Sequence, residues 1–289
     1  MCGIAGIFGQ LNSNTQRQTL TAMIRSQHHR GPDADGAWFD PSGAAGLGHN
    51  RLSIIDLSDA GRQPMASRDG NLQIVFNGEI YNYLELRAEL GDYPYRSDSD
   101  TEVILAAYER WGESCVDRLR GMFAFVIWDR VARRAFAARD PYGIKPLYWA
   151  QTADGVLVAS QVKALLATGQ VSRAPCARGQ AGFWLLGSVP EPHTWYRDIR
   201  ALSAGHCAWI EDGRMGAPKG WWDVAAAWRD APTTPPSAPE IRERVRTALR
   251  ASVASHLVAD VPVGVFLSGG IDSGALAGLM VEAGAKDLQ

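Results

Sequence analysis

The sequence predicts two folds in series: an α+β domain of layered sheets covered by helices over residues 1–228, then the opening of an α/β nucleotide-binding domain over 240–289. Three observations carry this. Short runs rich in Val, Ile and Phe, punctuated by Gly, Asp or Asn, dominate the first part and read as strands. Helical stretches lie among them without the regular strand–helix alternation of a parallel doubly wound sheet. The pattern then breaks at the proline-rich "RDAPTTPPSAPE", so residues 229–239 read as an extended linker.

The strand runs come in the order "GIAGIFG", "AAGLGHNRLSIID", "LQIVFNGEIYN", "MFAFVIWD", "RAFAARD" and "GVLVAS". "TQRQTLTAMIRSQ" is a helix with Leu20, Met23 and Ile24 on one face, and "YLELRAEL" and "TEVILAAYERWG" share its periodicity. Thr101 and Glu102 read as the start of the last of these. Beyond the linker, "EIRERVRTALRASVASHL" is an amphipathic helix whose four arginines form a solvated face. "VPVGVFLSGGIDSGALAGLMVEAG" then reads as strand, glycine-rich turn and helix. So short a segment is expected to be the start of a domain that continues past Gln289, because it buries too little surface alone.

The 289 residues are 46% hydrophobic and 21% charged, with a formal net charge of −2. That balance suits a globular core and gives no basic surface for nucleic acid. No run approaches a membrane span, and the N-terminus lacks the layout of a signal peptide, so a cytoplasmic protein is expected. Cys2, Cys115, Cys176 and Cys207 are scattered, without metal-like or disulfide-framework spacing. His28, His29 and His49 offer no metal set either, and no metal site is assigned. Trp184, Trp195, Trp209, Trp221, Trp222 and Trp228 crowd the end of the first domain, where they are expected to pack it against its neighbour.

Cys2 follows the initiator methionine directly. Methionine before a small residue is normally removed, which would leave a thiol and a free α-amine on one residue. Such an amine has a pKa of about 7.7–8.0 and can act as a base beside its own nucleophile. On position alone Cys2 reads equally well as a small buried hydrophobe. Arg51 carries a guanidinium suited to a carboxylate, or to a surface ion pair. Asn77 beside Gly78 offers an amide and a main-chain N–H as a pair of oxyanion donors, with Glu79 next in line. Asp100 reads as a helix N-cap or as a ligand-binding carboxylate. In "SGGIDSG", Gly269 and Gly270 let the backbone approach an anion, with the N–H groups of the following helix aimed at it.

Taken in order, "MCGIAGIFG", "HRGPDADG", "HNRLSIID", "QPM", "FNGEIYN", "SDTEVI", "GMFAFVIWD", "RDPYGIKPLY" and "KAL" resemble the glutamine-hydrolysing asparagine synthetase family. The resemblance covers residues 2–289. It implies a class II glutamine amidotransferase domain with the four-layer α/β/β/α sandwich of the N-terminal-nucleophile hydrolases, followed by an ATP-pyrophosphatase domain. Carried over residue by residue, Cys2 is the nucleophile, with Asn77 and Gly78 holding the oxyanion. Arg51 grips the α-carboxylate of glutamine, and the Ile54–Ile55 backbone runs along the substrate. Glu79 and Asp100 recognise its ammonium end, and Arg30 lies on a loop near the site. Leu267, Ser268, Gly269, Gly270, Asp272 and Ser273 match the nucleotide loop.

The implied chemistry releases ammonia from glutamine through a thioester and delivers it to a carboxylate activated by ATP, typically that of aspartate. ATP with Mg²⁺ is therefore implied for the synthetase half and no cofactor for the glutaminase half. The implied partners are small molecules, not nucleic acid or membrane, and a homodimer is left open. Two departures from the family pattern stand out: Gly274 replaces a second serine after "SGGIDS", and Gln161 replaces an acidic residue. A different carboxylate acceptor, or a glutamine-binding module without turnover, are the alternative readings.

Overall fold

The computed structural model describes residues 1–10, 12–230 and 236–285. They form two compact units: residues 1–53 with 58–223, and residues 54–57 with the segment from Val224 onward.

The first unit is built on two antiparallel sheets. One contains β1 (Gly3–Gly9), β2 (Ala34–Phe39), β3 (Ala45–Arg51), β8 (Tyr148–Gln151), β9 (Gly155–Ala159) and β10 (Ile199–Ala201), in the order β10-β8-β9-β1-β3-β2. The other contains β4 (Met65–Ala66), β5 (Leu72–Ile80), β6 (Gly121–Asp129), β7 (Arg134–Arg139), β11 (His206–Glu211) and β12 (Arg214–Met215), in the order β12-β11-β7-β6-β5-β4. The short β13 (Lys219–Gly220) also pairs with β11.

Period-two alternation sorts the side chains into three buried layers. Ile4 and Phe8 of β1, Leu47 of β3, Val75 of β5, and Val126 and Trp128 of β6 meet between the sheets. Ala5 and Ile7 point the other way, onto Leu20, Met23 and Ile24 of α1 (Ser13–Ser26) and Leu165 of α4 (Val162–Ala167). On the far side, Ile74, Phe76, Phe123, Phe125 and Phe136 pack against α2 (Tyr83–Glu89) and α3 (Asp100–Trp111). The result is the expected four-layer sandwich. Each large side chain fully buried in it contributes roughly 1.5–3 kcal/mol, so the three layers together hold the sheets in register. The helix α5 (Ala177–Leu186) lies apart from these layers and leaves Trp184 exposed.

Two tryptophans differ from expectation. Trp209 packs on Phe136, with ring centroids 5.0 Å apart, and Trp221 stacks on Phe123 at 6.0 Å. Both complete the first unit's own core, because β11 and the segment after β13 bring them over the nearest aromatic layer. Trp222 lies against Tyr142, and Trp195 against Phe183.

The second unit contains α6 (Val224–Arg229), α7 (Ala238–His256) and α8 (Ile271–Glu282). Ser237 and Glu240 close a capping box at the start of α7. Two of its four arginines are not simply solvated: Arg246 and Arg250 both pair with Glu282 of α8. The expected strand ahead of the glycine-rich turn is absent. Residues 261–267 are irregular, with Phe266 fully exposed. A strand requires a neighbouring ladder for its main-chain groups, and no described strand pairs with this segment. Residues 231–235 of the expected linker and residues 286–289 lie outside those described.

Candidate active site

Cys2 lies one residue ahead of β1, where strand register brings several polar groups to one end of the sheets. Gly3 pairs with Asn50, and Ile4 with His49. His49 reaches across to the other sheet, its Nε2 lying 3.1 Å from the Phe76 carbonyl, next to Asn77. Burial drives the His49 pKa down to about 3, so the ring is neutral and its role is to tie the two sheets beneath the site.

The Cys2 thiol sits against Leu52. The Leu52 N–H donates to Sγ at 3.4 Å, and the thiol faces the Leu52 carbonyl at 3.6 Å. Arg30 donates from Nε to the Cys2 carbonyl at 2.8 Å, which fixes the peptide just behind the thiol. Burial raises the thiol pKa; the Leu52 hydrogen bond, the Met1 amine and Lys145 oppose that rise, and Asp100 adds to it. Burial lowers the pKa of the Met1 amine, with Lys145 and Arg30 acting in the same direction and Cys2 and Glu79 opposing.

Asn77 and Gly78 lie on β5 opposite Ala124 and Phe123. The Asn77 side chain is buried, and neither its oxygen nor its nitrogen has a partner among the described residues. Buried amides are ordinarily satisfied, so this one is available for a ligand oxygen. Gly78 cannot be enlarged: a Cβ there would run into the Met122 carbonyl and the Phe76 ring. The backbone N–H beside Asn77 therefore depends on glycine.

Arg51, buried at the end of β3, donates to the Ser58 carbonyl at 2.7 Å. Asp100 is not the N-cap of α3. Ser99 caps that helix by accepting the Thr101 N–H, because the extended Ser99 backbone aims its hydroxyl at the first turn. Thr101 and Glu102 accordingly fall inside the helix. Asp100 turns inward and accepts the Ile80 N–H at 2.9 Å. Glu79 contributes to the charge around Asp100, the terminal amine and Lys145.

Burial, reinforced by Glu79, raises the Asp100 pKa to about 7, against ~3.9 in an unfolded chain. Between those values the folded protein holds a proton that the unfolded chain has released, so this group makes stability fall as pH rises from about 4 to 7. Asp100→Asn is expected to flatten that part of the curve. Urea midpoints for both proteins across this range are the check, and parallel curves would contradict the assignment.

Ile54 and Ile55 group with the second unit. There the Ile54 carbonyl accepts the Asp260 N–H at 2.9 Å, and the Asp56 N–H donates to the Asp260 carboxylate. Also in that unit, the Ser268 and Ser273 hydroxyls lie 3.0 Å apart, and Ser268 Oγ accepts the Gly270 N–H. Gly269 has φ +78°, a conformation suited to glycine, and nothing would contact a Cβ there. α8 begins immediately afterwards with Asp272 in its first turn. Leu267 precedes the loop and is exposed. Such an open, glycine-bent helix entry fits a polyphosphate. Among the described residues no cluster of three His, Cys, Asp or Glu could hold a metal.

Lys145 was not among the residues singled out from sequence. It sits within "RDPYGIKPLY", on the loop after β7, and only its surroundings mark it. The local signal is slight: one lysine in an otherwise apolar end to the motif.

Two facing sheets, covered by helices and carrying Cys2 at the head of a central strand, form the fold of the N-terminal-nucleophile amidotransferases. The glutamine phosphoribosylpyrophosphate amidotransferase from B. subtilis superposes with a TM-score of 0.55 at 19% identity, covering 97% of this chain and 64% of that one. The chain belongs to the glutamine amidotransferase domain family, whose family model it matches over residues 1–222, and residues 244–289 match the asparagine synthase family. A putative glutamine-hydrolysing asparagine synthetase of Mycobacterium tuberculosis (strain H37Rv) is 42% identical over 90% of this chain and 42% of that protein. Asparagine synthetase 1 of Bacillus subtilis is 39% identical over 98% of this chain and 44% of that protein. Amidase chry2 of Gibberella zeae is also 39% identical, over 99% and 44%. The chain thus spans less than half the length of these curated relatives. Among the described residues no helix is long and apolar enough to cross a membrane.

Proposed function

We propose that the first unit hydrolyses glutamine at Cys2, and that the whole protein is a glutamine-dependent asparagine synthetase. The reaction would convert L-aspartate, L-glutamine, ATP and water to L-asparagine, L-glutamate, AMP and diphosphate. The observation that carries the glutaminase reading is the buried, unpartnered Asn77 amide beside an obligatory glycine, at the same end of the sheets as Cys2.

With Met1 removed, the Cys2 α-amine takes the thiol proton and Sγ attacks the carboxamide carbon of glutamine. Asn77 Nδ2 and the Gly78 N–H donate to the oxyanion that forms. Collapse breaks the C–N bond, and the ammonium returns its proton to the departing ammonia, leaving a γ-glutamyl thioester. Water, deprotonated by the same amine, attacks that carbonyl; the C–S bond breaks, glutamate leaves and the thiol is restored. Arg51 would hold the α-carboxylate, Glu79 and Asp100 the α-ammonium, and the Ile54–Ile55 backbone would flank the substrate. A zwitterionic ligand needs this pairing of a cation with anions.

ATP, when bound with Mg²⁺ at Leu267–Ser273, supplies the activation that lets a carboxylate accept ammonia. Ser268 and Ser273 would offer hydroxyls, and Gly269 and Gly270 main-chain N–H groups, to its phosphates, with Asp272 in the first turn of α8 as part of the same loop. The division into a glutaminase domain to residue 228, a linker over 229–239 and a nucleotide domain from 240, working in the cytoplasm, is part of this reading. A different carboxylate acceptor is the second reading, supported by one observation: amidase chry2 of Gibberella zeae is 39% identical, the same as asparagine synthetase 1 of Bacillus subtilis.

The test is intact mass after incubation with a glutamine-mimicking electrophile. Loss of methionine plus one adduct mapped to Cys2 is expected. An unprocessed or unlabelled chain would overturn the glutaminase reading.

A further inference from the structure

The loop from Arg51 to Ser58 is divided between the two units. Ile54–Leu57 group with the second, although Ser53 and Ser58 on either side belong to the first. The base of the loop is tied down. Arg51 closes it by donating to the Ser58 carbonyl at 2.7 Å, and the Ser53 N–H donates to the Asp33 carboxylate at 2.8 Å. The Leu52 N–H reaches the Cys2 sulfur at 3.4 Å. One short loop therefore carries the backbone that touches the nucleophile and the Ile54–Ile55 backbone that would flank glutamine.

The tip of the loop has no ladder to set its shape, because residues 52–57 form neither helix nor strand. Main-chain groups in such a segment need partners from elsewhere. Asp260, just past the end of α7, supplies two. Its N–H donates to the Ile54 carbonyl at 2.9 Å, and its carboxylate accepts the Asp56 N–H at 2.7 Å. An ionised acceptor makes the second of these one of the stronger kinds of hydrogen bond. The residue held there, Asp56, has φ +52°, a left-handed conformation uncommon for a residue with a side chain. Such conformations persist where surrounding contacts over-determine them, and they cluster at ligand clamps. Asp260 itself is exposed and lies outside any helix, so neither burial nor helix capping accounts for it.

We propose that Asp260 is a positioning residue for glutamine binding. It grips the tip of the loop at two main-chain points and so fixes the Ile54–Ile55 backbone as the surface along which glutamine lies. The assignment rests on the reading of Cys2 as nucleophile and of Ile54–Ile55 as substrate-flanking backbone. The hydrogen bonds of Asp260 reach Ile54 and Asp56 rather than Leu52, so loosening them costs affinity for glutamine and not the reactivity of the thiol. Asp260 leads directly into the irregular residues 261–267 ahead of the Ser268–Ser273 loop. A residue of the nucleotide-binding unit thereby sets how tightly the glutaminase holds its substrate.

The experiment uses the full chain with Asp260→Ala, Asp260→Leu and Asp260→Asn, and measures kcat and KM for glutamine hydrolysis. Labelling of Cys2 is followed with two reagents: the glutamine-mimicking electrophile, which needs the substrate-binding surface, and iodoacetamide, which does not. Without an acceptor at position 260, KM is expected to rise roughly fivefold with kcat little changed. Labelling by the glutamine mimic should slow by a similar factor while the iodoacetamide rate stays at the wild-type value. Asp260→Asn, whose amide oxygen can still accept the Asp56 N–H, should recover most of the affinity.

A wild-type KM in a folded Asp260→Ala or Asp260→Leu chain overturns the assignment. So does a fall in kcat at unchanged KM, or an equal slowing with both reagents, either of which would place the disturbance at the thiol. If neither acceptor-free variant folds, Asp260 is needed for folding and the assignment falls. Glutamate release by Cys2→Ala would remove the nucleophile reading itself. An inactive Cys2→Ala beside an unchanged KM in Asp260→Ala removes the Asp260 assignment alone.

Discussion

Replacing Cys2 by alanine is expected to abolish glutamate release, by at least ~10⁴-fold, while leaving the fold intact. The chemical half of this is direct: a methyl group cannot attack a carboxamide, and no other cysteine stands at this end of the sheets. Cys115 and Cys207 are buried in the aromatic layer, and Cys176 caps α5 by accepting the Gly179 N–H. The structural half follows from what the thiol touches. Its contacts are with the Leu52 backbone at the long end of hydrogen-bonding range, and Cys2 belongs to none of the three buried layers. Removing one sulfur there should change stability by less than ~1 kcal/mol. Glutamate release measured beside a thermal melt separates the two effects. A variant with wild-type turnover would mean that Cys2 is a structural residue after all. A variant that does not fold would mean that the thiol holds β1 in place.

Asp140→Ala is expected to have the largest effect on stability, a loss of at least ~4 kcal/mol. Asp140 is completely buried and accepts four main-chain N–H groups, from Phe123 on β6 and from Tyr142, Ile144 and Lys145 on its own loop. Each donor left unsatisfied in a buried site costs about 1–3 kcal/mol, so even the lower bound for four is a large fraction of a domain's stability. Asp140→Asn should also destabilise, because its NH₂ group would face two donors. Denaturant midpoints with unchanged m-values would establish the loss. A drop under ~1 kcal/mol would indicate that water or a shifted loop replaces the carboxylate.

Much of the architecture was legible in the chain. Near-continuous runs rich in Val, Ile and Phe marked β1, β5, β6 and β7, because each strand packs both its faces, and Leu20, Met23 and Ile24 marked the inner face of α1. The site residues were named from a chain-long resemblance; the β1–β3 and β5–β6 registers place Cys2, Asn77, Gly78 and Glu79, and the hydrogen bond from the Ile80 N–H ties Asp100 of α3 to the end of β5. Other features were not legible. Asp100 and Ser99 are adjacent polar residues ahead of one helix, and only the backbone angles at Ser99 decide which of them caps it. "VPVGVFLSG" carries a strand's composition, yet without a paired neighbour it stays irregular.

The sequence by itself determined the central strands β1, β5, β6 and β7, the inner face of α1, the glycine at position 78 and the thiol at Cys2, since these depend on residue type and local periodicity. Tertiary structure alone decided that His49 is a neutral tie between sheets, that Trp209 and Trp221 fill the first unit's own core, and that Lys145 is buried. Those outcomes depend on which faces meet across two sheets and on how far water is excluded there. Desolvation and charge act through space between residues far apart in the chain, so local sequence carries little trace of them.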